Sequence, residues 1–280
     1  MTAATTAMID PFAVRPDYGP VRFLYRLNPL SKIAAPLPAM IALIFVRDPL
    51  TPAIFLGLTF ALILIGAKLS RRAALGILLG IPAALIVLTL SFALWTDPAR
   101  TADTTNLFTI ADYRFNTGAL YIGASTALRL TTLAALALLG GLTTDGPDLV
   151  RSLVQQLRVP YRIGYTALAA YRFVPRFAHE LEIIRAAHRV RGMAGGRGPI
   201  AGLRRYLGYV VPLLASAIRH AERVALSMDS RAFGAHPTRT ERHLVPFRTR
   251  DWLFIAAFWI VSALVLLALP RDFLPLIGDR

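Results

Sequence analysis

The stretch Ala73–Trp95 carries no charged side chain and only one proline, Pro82. A helix of that length and polarity fits the hydrocarbon thickness of a bilayer and is predicted to cross one. Four further apolar runs accompany it. Pro29–Val46 carries Pro36 and Pro38 and is short, so it crosses if tilted or broken. Ala53–Ala67 follows, extended upstream by Pro49–Pro52. Ala119–Leu142 is interrupted by Arg129, and Trp252–Leu269 carries Trp252 and Trp259, which suit an interfacial and near-interfacial placement.

Charge decides the orientation. The chain is 55% hydrophobic and 17% charged over 280 residues, with a mean hydropathy of +0.54, which excludes an ordinary soluble domain. Its net charge of +15 would suggest nucleic acid in a soluble protein. Here the basic residues are scattered among apolar helices rather than interleaved with exposed aromatics, so nucleic-acid binding is set aside. Segment 1–32 holds four basic and two acidic residues, and Lys68, Arg71 and Arg72 lie between the second and third runs. The 96–118 loop holds two basic and three acidic residues, and region 143–250 holds 18 basic and seven acidic. Positive segments therefore alternate with neutral or acidic ones. This predicts an all-α polytopic membrane protein of about five transmembrane helices, N-terminus inside and C-terminus outside, in the cell membrane. The expected organisation is a membrane domain over 1–142, a cytoplasmic-side region of amphipathic helices over 143–250, and a final span with its tail over 251–280. The 96–118 loop is turn-rich and predicts a short external hairpin.

The basic region reads as three helices. Leu149, Leu153 and Leu157 give the first an apolar face ending at Pro160, with Asp145 as N-cap and Pro147 in the first turn. The second runs from about Tyr161 to Arg189, the third from about Ile200 to Ser230. Each begins apolar and ends charged, with Glu182 and Arg185, and Arg219 and Glu222, spaced to share a face. Pro175 and Pro212 fall inside them and predict a kink or a split. The run Gly195–Pro199 is a breaker, since no Gly-Lys-Ser/Thr follows to make a phosphate loop.

Each long helix ends on an arginine beside a small residue, Val190-Arg191-Gly192 and Ser230-Arg231-Ala232. Arginine offers a permanently charged planar fork suited to a carboxylate, and a small neighbour lets a partner backbone approach. Two readings stand side by side: a matched pair of docking points, or headgroup anchors and helix-dipole partners. Arg129, costly in hydrocarbon, either meets a partner or the cytoplasmic helices, or it pairs with a carbonyl or sits nearer an interface.

Little points to chemistry in this chain. There is no cysteine, and the five histidines (His179, His188, His220, His236 and His243) form no metal-ligand spacing. Neither Gly-x-Ser-x-Gly nor a carboxylate pair within a span is present, so no cofactor, metal or catalytic residue is expected.

Four places resemble the T component of energy-coupling factor transporters, the transmembrane coupling subunit of an ABC importer class for vitamins and metals such as cobalt. Phe23-Leu24-Tyr25-Arg26-Leu27-Asn28-Pro29-Leu30-Ser31-Lys32 is similar to that family's Leu-Asp-Pro-Arg-x-Lys motif, with Asn28 in place of the acid and Leu30 in place of the arginine. Leu128-Arg129 followed by Leu142-Thr143-Thr144 resembles its fourth-span segment. Arg191 and Arg231 fall where the family has two Ala-Arg-Gly-like signatures at the ends of coupling helices. The resemblance covers about residues 20–240.

It implies two ABC-type ATPase subunits docked at Arg191, Gly192, Arg231 and Ala232. A separate substrate-binding membrane S component would lie on the helices' apolar faces. The chain itself would be non-catalytic, with ATP hydrolysed by its partners. A conventional ABC importer permease is the nearest alternative, but it would couple through one loop with a Glu-Ala-Ala…Gly pattern. Arg185-Ala186-Ala187 precedes Gly192 without the glutamate. A membrane-embedded enzyme, the second alternative, needs a polar cluster at one depth.

Overall fold

The computed structural model describes residues 22–46, 48–96, 105–110, 113–192 and 198–268. The Gly195–Arg197 part of the breaker and the C-terminal tail beyond residue 268 lie outside these. A 3-10 turn, Phe23–Arg26, is followed by α1 (Pro29–Ala34), α2 (Leu37–Phe45), α3 (Leu50–Gly66) and α4 (Arg71–Leu94). Strands β1 (Asn106–Ile110) and β2 (Tyr113–Asn116) come next, then α5 (Thr117–Thr143), α6 (Gly146–Gln156), α7 (Tyr161–Val190), α8 (Pro199–Asp229) and α9 (Thr249–Ala268). The chain divides into two compact units. One comprises residues 16–145 and 246–280, and the other centres on 146–245.

The first is the membrane unit. Helices α4, α5 and α9 are long and apolar enough to cross a bilayer, while the Pro29–Phe45 pair and Leu50–Gly66 are shorter apolar segments. The first run is broken as its prolines require: Pro36 caps α2, and Pro38 occupies its first turn, where a missing N–H costs nothing. Asp48 accepts the Thr51 N–H at 2.7 Å to start α3, and Ser70 accepts that of Ala73 at 3.1 Å to start α4. Ala39 and Leu43 of α2, Phe55 of α3, Leu136 of α5, and Ile255 and Phe258 of α9 close one buried cluster. The Thr132 hydroxyl lies 2.9 Å from the Pro52 carbonyl, between α5 and α3, the kind of polar contact that joins helices in lipid.

Helix α4 buries only Ala93 and packs on α5. The approach depends on Gly123, where a Cβ would stand 2.6 Å from the Thr89 carbonyl oxygen and 2.8 Å from the Ala93 nitrogen. β1 and β2 form the two-stranded antiparallel hairpin that the turn-rich loop suggested. It is the one element among the described residues outside an otherwise helical architecture.

The second unit is a helical hairpin with a strap. α7 and α8 run antiparallel. Phe173 meets His220 edge-on at 4.4 Å, Ser216 donates to Glu180 at 2.6 Å, and His188 meets Tyr209 at 5.1 Å. Pro175 and Pro212 do not split their helices. Each removes one donor but leaves more than ten helical residues on either side, and those ladders hold the axis together. The expected sharing of a face by Glu182 and Arg185 takes another form. Glu182 stands 3.9 Å from His179, and the Arg185 guanidinium lies 5.9 Å from the Tyr206 and Tyr209 ring centres. Residues 233–245 then return over α6 and the start of α7. Gln155 and Gln156 donate to the His243 and Val245 carbonyls at 2.8 and 2.7 Å, and Tyr161 donates to that of His236 at 2.6 Å.

Candidate functional site

The two arginine turns share a left-handed residue after the arginine, whose N–H bonds back three residues. Arg191 caps α7, its N–H donating to the Ala187 carbonyl at 3.1 Å, while the next N–H, of Gly192, reaches back to Arg189 at 3.1 Å. At the end of α8 the Ala232 N–H donates to Asp229 at 2.9 Å and the Phe233 N–H to Met228 at 3.0 Å. That pair of bonds is the Schellman closure, with the arginine as the last half-helical residue and a left-handed residue after it. Gly192 has φ +70° and Ala232 φ +55°. The small neighbour thus has an intramolecular cause beyond room for a partner: a Cβ is strained in this conformation, and a larger or branched side chain more so.

The hairpin separates the turns. α7 has 30 residues, so its ends stand about 45 Å apart at 1.5 Å per residue. Arg191 sits at its far end. The Arg231 turn is held near its beginning, where Arg162 donates to the Gly234 carbonyl and Tyr161 packs edge-on against Phe233 at 5.7 Å. Both arginines are exposed, and Val190, beside the first, is 90% exposed.

The surroundings of the turns differ. Arg231 lines a groove of about 940 Å³ together with Arg151, Arg172, Arg223, Arg239 and Arg242, and Glu241 is the single carboxylate in its lining. That carboxylate accepts from Tyr165, over whose ring Arg239 lies at 4.2 Å. Burial, and then the hydrogen bond to Glu241, push the Tyr165 phenol up to about 12. On α8, local desolvation and the nearby Arg176 and Arg223 hold the His220 imidazole below its ordinary value. The field here favours an anionic visitor.

Arg129 sits half-buried at the middle of α5 and belongs to the membrane unit, whereas both turns belong to the hairpin unit. Residue-by-residue reading missed a buried polar knot in the membrane unit: Lys32 donates to the Thr143 carbonyl at 2.6 Å, and Asp251 accepts the Asn28 N–H at 2.6 Å. The signal for Asp251 was present in Arg248-Thr249-Arg250-Asp251, an acid three residues past a helix start that reaches back to the Arg248 N–H at 2.7 Å. Asn28 caps α1 by accepting the Leu30 N–H at 2.9 Å, a role an amide fills as well as the family's acid.

Comparison with known proteins agrees with an all-α membrane fold. The sequence model of the CbiQ family, described as a cobalt transport protein, matches residues 20–242. The energy-coupling factor transporter transmembrane protein EcfT of Acidaminococcus fermentans is 27% identical over 90% of this chain and 94% of its own length. Those of Streptococcus thermophilus and Thermanaerovibrio acidaminovorans are 28% and 29% identical, over 84% and 89% of this chain and 90% and 92% of theirs. A match running from the first broken span through the second arginine turn takes in both units, and the chain belongs to the CbiQ family, the transmembrane T components of energy-coupling factor transporters.

Proposed function

We propose that this chain transmits the motion of two ABC-type ATPase subunits to a separate substrate-binding membrane protein, the S component, for uptake of a vitamin or a metal ion. Residues 1–142 and 251–280 anchor it in the cell membrane, N-terminus inside and C-terminus outside. Residues 143–250 lie on the cytoplasmic side, as the positive-inside rule favours. Each ATPase docks at one arginine turn, Arg191-Gly192 or Arg231-Ala232, presenting a carboxylate to the guanidinium. The S component lies on the apolar face of α8, where Leu203, Leu207, Val210, Leu214 and Ile218 are exposed at helical spacing. The chain itself is non-catalytic, and ATP hydrolysis belongs to its partners.

The observation that carries the reading is the repeat of one left-handed arginine turn at the two ends of a 30-residue helix. Two equivalent handles so spaced suit two similar subunits. A permease with one coupling loop needs one handle.

Co-purification from membranes tests it. Wild-type chain is expected to bring its ATPases through size exclusion. Arg191→Ala and Arg231→Ala each lose a charge-assisted contact and weaken the complex about ten- to a hundredfold. The double variant inserts normally and retains no ATPase. Full retention by the double variant, or no ATPase on the wild type, refutes the docking assignment.

A further inference from the structure

The Asn28-Pro29-Leu30-Ser31-Lys32 motif plays no part in docking, yet it is among the most buried polar segments of the protein. Asn28, Ser31 and Lys32 are 4%, 0% and 2% exposed. Its contacts fall at two special places. Among the described residues, the chain passes between the membrane unit and the hairpin unit twice, after Asp145 and after Val245. Lys32 Nζ donates at 2.6 Å to the carbonyl of Thr143, the last residue of α5 and two residues ahead of the first passage. Asp251, 1% exposed, stands just after the second passage, in the first turn of α9. Its Oδ1 accepts the Asn28 N–H at 2.6 Å and lies 3.3 Å from the Ser31 hydroxyl, and its Oδ2 accepts the Arg248 N–H at 2.7 Å.

The chemistry suits a fixed joint. The last carbonyls of a helix have no partner within it and carry its negative end, so an ammonium there meets both needs. Burying that ammonium is costly, and an apolar residue would pack the site at lower cost. The same argument holds for the Asp251 carboxylate, which spends its lone pairs on α1 and on its own helix start.

We infer that the first turn of α1 is a clasp that fixes both chain connections between the two units. Lys32 and Asp251 are its positioning residues. The clasp rests on the reading above that the hairpin unit moves under ATPase control. It keeps the ends of α5 and α9 from fraying or sliding, so that displacement of the hairpin is delivered rather than absorbed at the joints.

The test uses the full complex, with its ATPases and S component, reconstituted in lipid, comparing wild type with Lys32→Met and Asp251→Asn. ATP hydrolysis and substrate uptake are measured on the same vesicles. Hydrogen exchange is followed over 139–145 and 246–252. Lys32→Met is expected to keep its ATPases and its hydrolysis, with uptake per ATP falling severalfold. Exchange over 139–145 becomes roughly tenfold faster, the worth of one charged hydrogen bond. Unchanged uptake per ATP, or hydrolysis and uptake falling in proportion, overturns the clasp. Should Lys32→Met fail to accumulate, Asp251→Asn decides by the same ratio and by exchange over 246–252. If the wild-type chain holds no ATPases, the docking reading falls. The clasp is then still judged on the chain alone: unaltered exchange at both joints overturns it.

Discussion

Ala232 is the sharpest place to test why the second arginine turn is built as it is. It holds φ +55° with a Cβ, where Gly192 holds φ +70° without one. A non-glycine residue in this conformation costs about 1–2 kcal/mol, and glycine gives back about 0.5–1 kcal/mol through its freer unfolded chain. Ala232→Gly should therefore stabilise the closed end of α8 by about 0.5–1 kcal/mol. The Phe233 N–H, 3.0 Å from the Met228 carbonyl, reports that closure directly. Its exchange should slow about two- to fivefold, measured by mass spectrometry in detergent micelles and corrected for intrinsic rates. Gly192→Ala should do the reverse at the end of α7, speeding exchange by a similar factor. If Ala232→Gly leaves exchange unchanged or faster, left-handed strain is not what selects the small residue. Room for a partner would then be the remaining cause.

Two other outcomes follow from the packing and the charges. Gly123→Leu places side-chain atoms against the Thr89 and Ala93 backbone, forcing α4 off α5 at a cost of about 1–3 kcal/mol. Gly76→Ala, with nothing within 4 Å of its Cβ, should keep or raise thermal stability in detergent, since alanine suits a helix interior better than glycine, and equal losses would refute the α4–α5 contact. The Tyr165 phenol is raised from 10.0 to about 12, so its neutral form is favoured in the folded unit. That contribution is full below pH 10.0 and is lost as pH rises through about 12. Ultraviolet titration of wild type against Tyr165→Phe should show one phenolate missing at that late step, and a difference at the ordinary value would refute the Tyr165–Glu241 pairing.

The sequence by itself determined what depends on local pattern. Apolar length marked the spans, because a bilayer demands unbroken apolar helix. The paired prolines broke the first run at Pro36 because proline lacks a donor. The two turns were legible because Arg-Gly and Arg-Ala stand where helical periodicity stops. Tertiary structure decided what depends on distant groups. Pro175 and Pro212 do not split their helices, since each leaves long ladders on both sides. Arg185 turns to the rings of Tyr206 and Tyr209, on the other arm of the hairpin, and no local spacing contains them. The arginines gathered beside Arg231 come from α6, α7, α8 and the strap, so their groove exists only when these are packed together. Lys32 and Thr143 lie 111 residues apart, and Asn28 and Asp251 223 apart. A lysine near an apolar run reads locally as a headgroup anchor. Only the fold, by bringing the orphan carbonyl of α5 to it, turns that lysine inward and buries it.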